Sequence, residues 1–101
     1  MPVSANFVSA AKSLCLSDLG LMGAAAADAD GFVTALVASA AEQVGRDGID
    51  LKETTDDETT VAMYAAYLYR KRAEDVGAMP RMLRYRLNNR LFAQKAGGAD
   101  A

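Results

Sequence analysis

The chain has 101 residues, which is room for one domain with one hydrophobic core. Hydrophobic residues make up 51% and charged residues 24%, the balance of a packed globular protein and not of a disordered tail. Histidine is absent and there is one cysteine, which excludes disulfide frameworks, Cys/His zinc sites and catalysis by imidazole.

The formal net charge of -2 conceals an asymmetry along the chain. Residues 1–60 are strongly acidic, with a balance of -7, whereas residues 61–101 have a balance of +5. An acidic chain does not fit a freestanding nucleic-acid binder. A dipolar chain can instead turn its basic end toward an acidic partner or a neighbouring copy, although a merely solvated basic helix is the alternative.

Neither export nor a membrane span is expected. Residues 1–16 lack a basic n-region, and Lys12 interrupts their apolar pattern. The uncharged run from Val61 to Tyr69 is far shorter than the ~20 residues that a bilayer requires. Cys15 has no partner cysteine, so we interpret it as a small buried hydrophobe without a function of its own.

The first predicted helix runs from Ser4 to Cys15, with Ser4 as its N-cap. Residues 17–31 contain glycines and an alanine cluster with little to bury, and we expect a loop with a helical turn there. The first helix, Ser4 to Cys15, has an apolar face made of Phe7, Val8, Ala11, Leu14 and Cys15.

A second helix is predicted to begin at Asp30 or Gly31, with Asp30 as its cap, and to end near Val44.

A third helix is predicted to start at Thr55, which forms a capping box with Glu58. The acidic residues 56–58 suit a helix N-terminus. The interior from Val61 to Tyr69 carries no charge, and its large side chains point in nearly all directions. We therefore expect this segment to be buried all round, with the helix continuing to about Arg72.

A fourth helix is predicted from Pro80, which needs no amide partner at a first helical position, to about Lys95. Its apolar residues form two faces. Leu83, Leu87 and Leu91 lie on one face, and Tyr85 and Phe92 on almost the opposite one. Arg81 and Arg84 lie between the faces on one side, and Arg86 and Arg90 on the other. Helices with this much apolar surface exceed what a small bundle can cover, which predicts contacts between subunits.

These elements predict an all-α fold, a small bundle of about four helices with extended connections. We expect one helical domain over residues 1–96 and a short flexible tail over residues 97–101. No internal repeat is visible, and no segment alternates strictly as an amphipathic strand would.

No motif predicts catalysis, a cofactor or a metal. The segment from Asp28 to Gly31 is similar to the start of a calcium loop but lacks the third acid and the terminal glutamate. The acids 56–58 could hold Mg²⁺, yet complementing the helix dipole is the better interpretation. Phosphate-binding loops and nucleophile elbows are missing from the sequence, and a nucleophile would lack its usual base. We therefore predict a binding or assembly protein and not an enzyme.

A DNA-binding interpretation rests on Arg81 and Arg84, which occupy the first turns of the fourth helix as in a recognition helix. Against it, the connection over residues 73–79 is longer than the usual turn of such motifs. The tyrosines Tyr64, Tyr67 and Tyr69 could stack on bases, but their neighbours are alanine and methionine, which favours packing.

The order of the elements and the string MPRMLRYRLNNRLF, residues 79–92, resemble the head-tail connector (head-completion adaptor) proteins of long-tailed double-stranded DNA bacteriophages. In that family, an acidic N-terminal part carries a helix like Phe32–Val44. A second helix like Val61–Arg72 ends in a tyrosine- and arginine-rich stretch, and the closing segment begins with a Met-Pro-like turn. The resemblance covers about residues 30–95, and residues 1–29 take no part in it.

The resemblance implies a structural protein of the virion, located at the head-tail interface after assembly in the host cytoplasm. A ring of about a dozen copies would dock on the portal protein after DNA packaging and extend the DNA channel. It would then offer a platform to a tail-side connector or tail terminator. Non-specific contact with packaged DNA is possible in this arrangement, and a DNA-binding or DNA-packaging accessory protein is the alternative function.

The residues expected to make these contacts are of two kinds. Apolar contacts with neighbouring subunits or the portal are expected from Tyr67, Tyr69, Tyr85, Leu87, Leu91 and Phe92. Charged docking contacts are expected from Arg70, Arg72, Arg81, Arg84, Arg86 and Arg90.

Overall fold

A computed structural model describes residues 3–74 and 78–98. These residues form four α-helices without a strand, which confirms the predicted all-α bundle. Three helices pack against one another, and the fourth packs on the third alone, in a body of 47 × 30 × 18 Å. The helices are α1 (Ala5–Asp18), α2 (Ala24–Arg46), α3 (Thr55–Glu74) and α4 (Arg81–Gly98).

Helix α1 forms as its sequence predicts. The hydroxyl of Ser4 accepts a hydrogen bond from the amide of Phe7 at 3.1 Å, which confirms Ser4 as the N-cap. Phe7, Ala11 and Cys15 recur every fourth residue and are fully buried against the other helices. Leu14 lies at the edge of this face and remains partly exposed.

Helix α2 begins at Ala24, so the predicted loop over residues 17–31 is wrong in its second half. The alanine cluster forms the first turn, and the amide of Ala27 donates to the carbonyl of Gly23 at 3.1 Å. Alanine has the highest helix propensity, so this turn forms although it buries little. Asp30 consequently lies inside the helix, where it pairs with Lys12 at 2.7 Å. Its predicted role as the helix cap is therefore wrong.

One face of α2 belongs to the core. Its members are Val33, Val37, Ala40, Ala41 and Val44. Among the described residues, α2 is also the one helix whose length and mean hydropathy of 1.2 would suffice to cross a membrane. The core helix of a bundle can pass the same test, and this one packs on both α1 and α3. The expectation that no segment crosses a membrane stays a prediction.

Helix α3 lies at the centre of the fold, in contact with the other three helices. Its N-cap is Thr54 and not the predicted Thr55, because the Thr54 hydroxyl accepts from the amide of Asp57 at 3.2 Å. The third helical position thus belongs to Asp57 in place of Glu58. The segment from Val61 to Tyr69 is buried or half-buried at every position, as predicted.

Burial of Cys15 leads to a prediction about its reactivity. Burial raises the pKa of this thiol from 9.0 to about 11, and the nearby carboxylate of Asp18 acts in the same direction. The folded state therefore holds the thiol proton more tightly than the unfolded state does. We expect the free energy of unfolding to fall as the pH rises from 9.0 to about 11.

The measurement is labelling with an aromatic disulfide reagent at pH 8. Cys15 is expected to react only after denaturant is added, because the folded protein neither exposes the thiol nor ionises it at this pH. Labelling of the native protein at the rate of a free thiol would show that α1 does not stay packed.

Candidate protein-interaction surface

Helix α4 begins directly after Pro80, whose carbonyl accepts a hydrogen bond from the amide of Arg84 at 3.1 Å. The predicted start is therefore correct to one residue. The helix runs to Gly98, beyond the predicted end at Lys95. Residues 75–77 of the predicted connection and residues 99–101 of the predicted tail lie outside the described residues.

The leucine face of α4 turns toward its own chain. Leu83 is fully buried, while Leu87 and Leu91 are half-buried. Gly48, with a φ of 100°, brings the connection between α2 and α3 close to Leu91. Leu87 and Leu91 also line a small cleft of about 270 Å³ beside Ile49. Their predicted contacts with other subunits stay a prediction, but much of their surface already lies against the bundle.

A buried ion pair attaches α4 to the start of α3. The Arg90 Nε donates to Asp57 Oδ1 at 2.7 Å, and its Nη2 donates to Asp57 Oδ2 at 3.1 Å. The side chains are 2% exposed at Asp57 and 15% exposed at Arg90. Asp57 Oδ2 also accepts from the amide of Lys52, and Arg90 donates to the carbonyl of Asp50, both at 2.7 Å. The hydrogen bond to Asp57 raises the pKa of Arg90 further above its ordinary value.

Further polar contacts extend this attachment along α4. Arg86 donates to the Thr60 hydroxyl at 2.8 Å and to the Asp56 carboxylate at 2.7 Å. Gln94 donates to the carbonyl of Gly48 at 2.8 Å, and its side-chain oxygen accepts from the amide of Asp50. We call these groups the polar seam. Its side chains are Asp56, Asp57, Thr60, Arg86, Arg90 and Gln94.

The polar seam changes the interpretation of two predicted docking residues. Arg86 and Arg90 find their acidic partners within the chain, so their charges are largely neutralised before any partner arrives. The same pairs occupy the carboxylates of Asp56 and Asp57 that could have held a magnesium ion. Among residues 3–74 and 78–98, no group of three or more metal-ligating side chains is found.

The predicted contact residues on α3 also have partners within the bundle. Tyr67 is buried edge-on to Tyr64, with ring centroids 6.2 Å apart. The ring of Tyr69 is 5.8 Å from that of Phe32, and the guanidinium of Arg72 lies 4.7 Å above the same Phe32 ring. Arg70 donates to the carbonyl of Asp18 at 3.0 Å. The roles of Tyr67, Tyr69, Arg70 and Arg72 between subunits stay predictions.

The opposite side of α4 forms an exposed apolar surface, which we call the outer face. Met82 is 69% exposed, Tyr85 65% and Phe92 71%, and they follow one another at three and seven residues. That spacing places them on one side of a helix, with Asn89 between them. Large apolar side chains that lie together on a helix surface are typical of contact surfaces.

Three cations border the outer face along one edge. At 100° per residue, Arg81, Arg84 and Lys95 all lie between the leucine face and the outer face, on the side opposite Arg86 and Arg90. None of the three forms an ion pair with a described residue. Of the six arginines predicted to dock, Arg81 and Arg84 are thus the two that α4 leaves available beside an apolar surface.

Sequence reasoning missed one feature of the outer face and one of the polar seam. Met82 extends the line of Tyr85 and Phe92 by one turn, and continuing that spacing backwards would have found it. The pairing of Asp57 with Arg90 joins residues that are 33 positions apart and has no signal in local spacing.

No family model matches the chain, and neither the curated proteins nor the solved structures contain a significant match to it.

Proposed function

We propose that this protein is a structural component of a phage virion, a head-tail connector that docks on the portal protein as a ring. The ring would extend the DNA channel and offer a platform to a tail-side connector or tail terminator. Support comes from the small helical bundle, from the resemblance of residues 79–92 to such connectors, and above all from the outer face of α4.

The outer face carries the proposal because it is apolar, exposed and unnecessary for the bundle. The core already holds the leucine face of α4, while Met82, Tyr85 and Phe92 contribute nothing to it. Exposed aromatic and methionine side chains on a rigid helix are the residues that dominate the energy of protein interfaces. Such an arrangement suits a subunit that is completed by its neighbours or by the portal.

A second candidate function is DNA binding, favoured by the cations beside the aromatic outer face. Arg81, Arg84 and Lys95 could contact phosphates while Tyr85 lies against a base or sugar. Against it, the chain as a whole is acidic, and three available cations neutralise few phosphates.

The two candidates differ in their response to salt and in their partner. The experiment measures the mass of the purified protein by light scattering, alone, with the portal protein of the same genome, and with duplex DNA at low and moderate salt. A connector is expected to bind the portal and to ignore DNA. Binding to DNA that falls steeply and log-linearly with salt, without portal binding, would overturn the proposal in favour of the second candidate.

Arg84→Ala gives a point test of docking. Arg84 is exposed and pairs with no described residue, so the fold is expected to stay intact. A charge at the rim of an interface contributes modestly, and we expect portal affinity to fall about 2- to 5-fold, with a weaker dependence on salt. Lys71→Ala is the matched control, because Lys71 is an exposed cation on α3 that forms no ion pair with a described residue. If the two variants bound the portal with equal affinity, Arg84 would not be part of the docking surface.

A further inference from the structure

A shallow, largely apolar groove of about 790 Å³ lies between α1, α2 and the connection that precedes α3. Its floor is formed by small residues of α2, and its walls come from the N-terminal part of α1 and from the connection that precedes α3. The floor residues are Ala38, Ala41 and Gly45. The apolar wall residues are Val3, Val8, Ile49 and Leu51.

The floor of the groove and the outer face are each about two to three helical turns long. From Ala38 to Gly45 the floor extends about 10 Å along α2, and from Met82 to Phe92 the outer face extends about 15 Å along α4. Small floor residues let a second helix approach closely, so that large side chains such as Tyr85 can fill the space above them. The groove is therefore shaped to accept a helix with protruding aromatic residues.

Their charges are also complementary. The lining itself carries Glu42, Arg46 and Asp50, of which Arg46 pairs with Glu42 and Asp50 pairs with Lys52. Glu53, which accepts a hydrogen bond from Ser4 next to Val3, is a further acid without a cationic partner among residues 3–74 and 78–98, so the groove and its rim are acidic on balance. The edge of the outer face carries three cations. Opposite potentials on two surfaces steer them together and select one orientation.

The same charges disfavour pairing of α4 with a second α4. Helix α4 has five basic side chains and lacks an acidic one from Arg81 to Gly98, so two outer faces would bring like charges together. The outer face cannot reach the groove of its own chain either, because the leucine face on its opposite side is packed on the bundle. The occupant that fits is the groove of another copy.

We propose that the outer face of one copy docks in the groove of the next copy, with Phe92 and Tyr85 over Ala38 and Gly45. The two surfaces share no residue, so the contact is head-to-tail and repeats from copy to copy, which generates a ring or an open filament. This inference rests on the proposed ring of the head-tail connector and names the surfaces that would hold it together.

The experiment uses one variant for each surface. Phe92→Glu breaks the outer face and Ala38→Arg obstructs the groove, and both positions are exposed, so the fold should survive, as circular dichroism will check. Each variant alone is expected to associate at least about 30-fold more weakly than the unchanged protein in light scattering, since each lacks one of the two surfaces.

The decisive sample is an equal mixture of the two variants. Phe92→Glu retains its groove and Ala38→Arg retains its outer face, so the mixture is expected to form a dimer that cannot extend, whereas neither variant forms it alone. The controls are Ser13→Glu on α1 and Ser39→Arg on α2, which place the same side chains at exposed positions outside the two surfaces. Both are expected to associate like the unchanged protein.

Three outcomes would overturn the inference. Normal association of either surface variant shows that copies meet elsewhere, which leaves the proposed connector function standing. Dimers of Ala38→Arg alone would indicate symmetric pairing of outer faces. A protein that stays monomeric at about 1 mM, or that gains mass only with DNA, does not use these surfaces between copies. Portal binding then decides the proposed function separately.

Discussion

Replacing Asp57 with alanine is expected to destabilise the protein by about 3 kcal/mol, because the change leaves the Arg90 guanidinium without its partner in a partly buried site. The amide of Lys52 also loses its acceptor. For a domain of this size, the change corresponds to a decrease of about 15 °C in Tm. The measurement is thermal and denaturant unfolding followed by circular dichroism.

Asp56→Ala is the matched control for this effect. Asp56 also pairs with an arginine of α4, but its side chain is 66% exposed, and such a pair contributes less than about 1 kcal/mol. A double variant, Asp57→Ala with Arg90→Ala, is expected to lose less than the two single changes added together. Equal stability of Asp57→Ala and Asp56→Ala would show that α4 does not depend on the buried pair.

The two phenylalanines at opposite ends of the chain predict the second large effect. Phe7→Ala is expected to cost about 3–5 kcal/mol, because Phe7 is fully buried where α1 meets the core. Phe92→Ala removes the same side chain from an exposed position, and the free energy of unfolding should change by less than about 0.5 kcal/mol. Denaturant unfolding of the two variants measures this difference.

Association should respond in the opposite order. Phe92→Ala is expected to weaken contact between copies by about tenfold or more, whereas Phe7→Ala, studied at a temperature where it remains folded, should associate normally. A loss of association in both variants would mean that the effect follows stability. If association between copies were lost in Phe7→Ala alone, the outer face would not be part of the interface.

Much of the fold was predictable because its signals are local. Ser4 and the recurring apolar residues of α1 lie within about three helical turns of one another, and the absence of charge from Val61 to Tyr69 predicts that α3 is the central helix. The start of α2 was missed because an alanine cluster signals helix only through propensity, without a hydrophobic face to mark it.

The candidate surface was predictable in part. The spacing of Tyr85 and Phe92 indicated a second face on α4, and that face is exposed as the prediction requires. The spacing could not show which arginines are available to a partner and which are paired within the chain. Whether Arg84 or Arg90 is available depends on where α3 places its carboxylates, and a residue's own neighbours in sequence do not contain that information.

The sequence by itself therefore determined the all-α class, four helices, a central uncharged helix and a basic closing helix with two apolar faces, because helix formation depends on contacts within a few residues. Only the tertiary structure decided which apolar face the bundle buries and which it leaves to solvent. It also decided which cations form ion pairs with Asp56 and Asp57. Burial and ion pairing over 30 or more residues depend on the packing of whole helices, which no local pattern encodes.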